Sequence, residues 1–73
     1  MNVGYQIHVT RWYAAEGRQQ WDSVIFDDDD DAQAYAVAAI ADADAYADKC
    51  VVEVWQTEDG TRQTFIRTTR TER

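Results

Sequence analysis

The chain has 73 residues, with fourteen acidic side chains against seven lysines and arginines, a net charge of −7 and no proline. A chain this short makes one domain with a modest core, and its single cysteine, Cys50, excludes an internal disulfide. The acid balance argues against direct binding to nucleic acid or an anionic membrane, and for a basic partner or for solubility alone. No apolar run approaches membrane-spanning length and no signal-peptide pattern opens the chain. A lone cysteine fits a reducing compartment, and its place at the start of an apolar run makes it a small buried hydrophobe.

Residues 3–13 read as a strand. Val3, Tyr5, Ile7 and Val9 alternate on one face, and Gln6, His8, Thr10 and Trp12 on the other. Ala14 to Arg18, with Gly17, reads as a hairpin connection to a second strand over residues 19–26. The parity of that strand stays open: either Trp21, Ser23 and Ile25 or Asp22, Val24 and Phe26 face the core, and only a bulge would reconcile them. The stretch from Asp27 to Lys49 then holds eight aspartates and one lysine, so the whole net charge of the chain sits there. Alanine, the best helix former, dominates it. Turned at 100° per residue, Ala32, Tyr35, Ala36, Ala39, Ile40, Ala43, Tyr46 and Ala47 fall in one apolar arc. Asp31, Asp42, Asp44 and Asp48 lie outside it, beside a strip of Ala34, Ala38, Ala41 and Ala45. One of Asp28, Asp29, Asp30 and Asp31 can serve as N-cap, and the others sit where the helix dipole favours anions.

After the helix, residues 50–57 read as a strand with Cys50, Val52 and Val54 inward and Val51, Glu53, Trp55 and Thr57 outward. Glu58-Asp59-Gly60 is a hairpin turn. Residues 61–68 read as the last strand, with Phe65 and Ile66 on opposite faces, and Thr69 to Arg73 as a frayed tail. The predicted fold is α+β: ββαββ over residues 1–73, a four-stranded antiparallel sheet with one helix across one face. The other face has no second layer. It would carry His8, Trp12, Trp55, arginines of the last strand, and Trp21 if its strand turns that way. Exposed tryptophan is costly at about 25 cal/mol per Å². Such a cluster marks an interface, including one between two copies, unless the rings lie across arginine stems.

No reaction can be assigned to named residues. His8 and Cys50 fall on opposite faces, so they do not form a nucleophile–base pair. The aspartates of residues 27–31 lack the alternating ligands, glycine and closing glutamate of a calcium loop, and no zinc or phosphate motif is present. The expectation is therefore no catalytic residue, no metal and no cofactor. Binding remains. Asp28, Asp29, Asp30, Asp31, Asp42, Asp44 and Asp48 would lie along a rod of about 25–30 Å. Less dense than DNA, which carries one charge per roughly 1.7 Å, the rod would still offer carboxylates to a groove lined with lysine and arginine. The weaker interface candidates are Trp12, Trp21 and Trp55.

Small size, localised acid charge and the hairpin–helix–hairpin order, carried by FDDDDDAQAYA and ADADAYADK, resemble the small anti-CRISPR proteins of phages and mobile elements. The resemblance implies a non-enzymatic inhibitor in the cytoplasm of a bacterial host. Its partner would be a basic nucleic-acid-binding protein such as a CRISPR-Cas subunit, whose DNA-binding surface the acidic helix would block. The alternative is a small interaction or homodimerisation module that works through the tryptophan-bearing sheet face.

Overall fold

The computed structural model describes residues 2–72, and within them the side chains of all but Asp44, Ala45 and Glu72. The expected ββαββ order is present: β1 (Val3–Tyr13), β2 (Gly17–Asp22), α1 (Asp29–Tyr46), β3 (Lys49–Glu58) and β4 (Thr61–Glu72). All neighbours are antiparallel in a single sheet of order β2-β1-β3-β4. The helix packs over β1 and β3 and more lightly over β4, leaving the opposite sheet face open.

Turn chemistry sets the two hairpins. Tyr13 pairs with Gly17 across the three-residue loop Ala14-Ala15-Glu16, and Gly17 supplies the positive φ of 81° that the loop exit needs. Asp59 and Gly60 both have positive φ, 51° and 84°, between the paired Glu58 and Thr61. That is a two-residue turn whose twist matches the strands, as the Asp-Gly signal predicts.

The helix starts where its aspartates allow. Asp28 is the N-cap, and its carboxylate accepts the Asp30 backbone N–H at 2.8 Å. Asp29, Asp30 and Asp31 occupy the first turn, at the positive end of the dipole. At the other end Ala47 leaves the helix in an extended conformation, still donating its N–H to Ala43. Asp48 N–H then bonds Trp12 O, which returns the chain to the sheet. This exit moves Ala47 into the core and leaves Tyr46, expected in the apolar arc, 74% exposed.

The core lies between α1 and the face of the sheet below it. The sheet contributes Ile7, Val9, Cys50, Val52 and Val54; the helix side contributes Ala32, Ala36, Ala39, Ala43 and Ala47. Half of the buried hydrophobic residues are thus alanine, so the branched chains of the sheet fill a thin layer against a smooth helix.

Three sequence expectations are corrected by bulges. The second strand was expected over residues 19–26. Regular pairing ends at Asp22, and beyond Ser23–Ile25 the chain makes an isolated bridge from Phe26 to Tyr5, one residue out of step with the His8–Asp22 register. The offset places both Trp21 and Phe26 against the core, one from each of the two candidate faces. Ser23 repairs the break: its Oγ accepts Ile7 N–H at 2.9 Å and donates to Val24 O, while its own N–H bonds Ile7 O. Gly4 permits the segment to lie so close, because a Cβ there would meet Ile25 Cγ2 at 2.5 Å. In the second hairpin, register shifts at Val54/Trp55 and Gln56/Thr57 turn Thr57, expected outward, into a residue 1% exposed. The same shifts bring Arg67 opposite Val54, on the helix side and not on the open face. The frayed tail is also corrected: β4 continues through Glu72, paired with β3 as far as Lys49, and Arg73 lies outside the described residues.

Candidate partner-binding surface

The expected carboxylate rod is divided. Between Asp31 and Asp42 the helix carries no charge, and its outward side shows Ala34, Ala38, Ala41 and a 56% exposed Val37. The acids therefore form two groups, about 16 Å apart along the axis at 1.5 Å per residue.

Two of the seven expected contact residues are engaged by the chain's own arginines. Arg67 grips Asp29 through both terminal nitrogens, at 2.9 and 3.3 Å, and donates from Nε to Gln33 Oε1 at 2.8 Å. Arg11 approaches Asp42 at 3.5 Å. Asp44 lies outside the described side chains. Asp28, Asp30, Asp31 and Asp48 are exposed, and no ion pair among the described residues reaches them.

The N-terminal group is enlarged by the topology. Val3 pairs with Glu58, and Asn2 exchanges hydrogen bonds with Asp59, so the first hairpin's start, the second hairpin's turn and the helix entry meet at one end of a body 43 Å long. Asp27 and Asp59 line the same open hollow of about 480 Å³, next to the Asp28 cap. This acidic pole, comprising Asp27, Asp28, Asp30, Asp31 and Asp59, has no cation facing it among the described ion pairs. Sequence reading left Asp59 out. The Asp-Gly turn was visible, but its position beside Asp27 follows only from the β1–β3 pairing. Among the described residues no group of three or more histidine, cysteine, aspartate or glutamate side chains is placed to hold a metal ion.

Arg11 was also missed. It continues the odd-numbered face of β1 after Ile7 and Val9, and that parity is the signal that places it inside. It is 8% exposed; Nη2 donates to Ala39 O at 2.7 Å, and the guanidinium lies 4.9 Å from the Trp21 ring centre. Burial works against its charge, but hydrogen bonds to Tyr13 and Cys50 outweigh it and raise the pKa, so the group stays cationic.

The tryptophans are covered by cations and are not free contact surfaces. Trp21 lies on the helix side, where its Nε1 donates to Tyr35 OH at 2.9 Å. Trp12 and Trp55 are on the open face and half-buried, with Lys49 Nζ 4.7 Å from the Trp12 ring centre and Arg62 Cζ 5.9 Å from that of Trp55. Phe65 meets Trp55 edge-on at 5.4 Å. The cation-over-ring arrangement, read as the alternative to an aromatic interface, is the one present.

Arg62 does more than cover Trp55. Starting on β4, it passes over β3, donates from Nε to Gln6 Oε1 on β1 at 3.0 Å, and ends in an ion pair with Asp22 on β2. One side chain thus crosses the unlayered face from edge to edge. His8 Nδ1 lies 2.7 Å from the same Asp22 oxygen. This hydrogen bond first, and Arg62 beside it, hold the Asp22 carboxyl below its ordinary range. Cys50, by contrast, is fully buried on the other face, so it cannot serve His8 as a nucleophile. No helix is long and apolar enough to cross a membrane. No protein-family model, curated protein or solved structure matches the chain.

Proposed function

We propose that the chain is a non-enzymatic binding protein that presents its acidic pole to a cationic surface on a protein partner. The observation that carries this reading is the unequal treatment of the aspartates. Arg67 and Arg11 engage Asp29 and Asp42 within the fold, while Asp27, Asp28, Asp30, Asp31 and Asp59 stand together without a cation. Grouped unpaired charge attracts an oppositely charged partner from a distance and speeds the encounter, and salt weakens it. The apolar Ala34, Val37, Ala38 and Ala41 strip beyond the pole supplies the uncharged centre that a charged contact needs to be specific.

The narrower form of the proposal is inhibition by an anti-CRISPR protein that occupies the basic nucleic-acid-binding surface of a CRISPR effector. Its support is the small size, the charge of −7 and the ββαββ layout. The test is a gel-shift competition in which the protein is added to effector–DNA complexes at low and high salt. Release of DNA that is lost in the Asp30→Lys/Asp31→Lys variant, with circular dichroism unchanged, is the expected result. The broader proposal is tested by salt-dependent capture of partners with the same variant. Equal capture by the wild-type chain and the variant would remove the acidic pole from the binding surface.

A further inference from the structure

We infer that the outer edge of β4 pairs with the same edge of a second copy, joining two sheets into one of eight strands. The surface is distinct from the acidic pole, and the inference does not depend on it. β4 has twelve residues, the longest strand of the sheet, and no strand lies beyond it. Natural edges of that length are blunted by lysine, proline, inward charges or bulges. Here the two bulges lie in the first half of β4, so residues 67–72 run in regular register without lysine or proline.

Charge favours a second copy on this edge. Arg62 and Arg67, which would repel their equivalents in a partner, are drawn away from the edge by Asp22 and Asp29. Antiparallel pairing about Thr69 sets Thr68 opposite Arg70 in each copy, so no two arginines face across that register. Thr69 is also where the strand meets an apolar groove of about 230 Å³ formed with Val37, Ile40 and Ala41 of α1. Three of the exposed large apolar residues, Val37, Phe65 and Ile66, lie on or beside β4, and a second copy along that margin would bring apolar surface to all three. The demand for such burial comes from the core: with alanine making half of it, a 73-residue chain removes little apolar surface by itself, and association is a standard compensation in domains of this size. The contact is small against a standard interface, so the dimer is weak and its population rises with concentration.

Light scattering coupled to size exclusion, run from micromolar to millimolar protein, is expected to show the mass climbing from 8.4 kDa toward twice that value. Amide exchange on the same samples locates the contact. Residues 67–70 are expected to gain protection as concentration rises, while the amides of β2, the other edge, do not. Thr69→Lys, placed in the groove at the pairing centre, is expected to weaken dimerisation at least tenfold. If that variant does not fold, Val37→Lys on the exposed helix surface replaces it, with the same expectation. A chain that stays monomeric throughout, or a dimer whose concentration-dependent protection falls outside β4, overturns the inference. So does a dimer that both lysine variants leave unchanged.

Discussion

The two faces of the sheet are closed by opposite means. On the inner face, a helix of small residues lies against Ile7, Val9, Val52 and Val54, and stabilisation comes from removing aliphatic surface from water. The outer face has no covering element. There Arg62 crosses from β4 to β2, stacks near Trp55 and ends on Asp22, so side chains of the sheet itself do the covering. Neither face is uniform: the inner one admits a cation, Arg11, because Ala39 O, Tyr13 OH and the Trp21 ring receive it. What the contrast teaches is that a buried aliphatic layer should be intolerant of single changes, whereas a solvated strap of charges should be forgiving.

Substitutions on the two faces can break that contrast. The largest effect is expected on the inner face, where Ile7→Ala should lower the unfolding free energy by about 2–5 kcal/mol in urea titrations, since Ile7 is fully buried and its neighbours cannot all close the gap. Next is Ser23→Ala, at the margin between the faces. It leaves the Ile7 N–H without its acceptor and should cost about 1–3 kcal/mol by the same measurement. Arg62→Ala on the outer face should cost no more than about 1 kcal/mol, because its ion pair is solvated. Tryptophan emission should nevertheless shift to longer wavelength as Trp55 loses its cover. A loss as large as that of Ile7→Ala would show that the strap matters as much as the core.

The smallest effect sharpens the comparison by pH. Asp22 has a folded pKa below its ordinary value of 3.8, so its carboxylate is favoured by folding. That contribution is fully present above the ordinary value and is lost as pH falls through the lowered folded one. Thermal melts of Asp22→Asn should therefore lie below those of the wild-type chain at neutral pH, with the gap closing below pH 3.8. A gap that persists in strong acid would assign the effect to packing and not to charge.

Much of this fold could be read from the chain. Alternation in residues 5–9 and 50–54 marked the central strands, Asp59-Gly60 marked a hairpin, and the aspartates before an alanine-rich run marked a helix start. Those signals are local, set by backbone geometry and capping, and local physics survives in the sequence. The surface was less legible. Asp28, Asp30, Asp31 and Asp48 are exposed as expected, yet the single rod is two groups, and Asp29 and Asp42 are engaged from within.

What the sequence determined by itself was the order of elements, the antiparallel pairing and the confinement of net charge to residues 27–49, because period, turn chemistry and composition are properties of neighbours along the chain. What only the tertiary structure decided was which charges remain for a partner. Three single-residue shifts, one after Asp22 and two in β4, turn Trp21, Phe26, Thr57 and Arg67 to the helix side. A strand's side chains alternate with a period of two, so one extra residue reverses every facing assignment beyond it, and no local pattern announces where that residue falls.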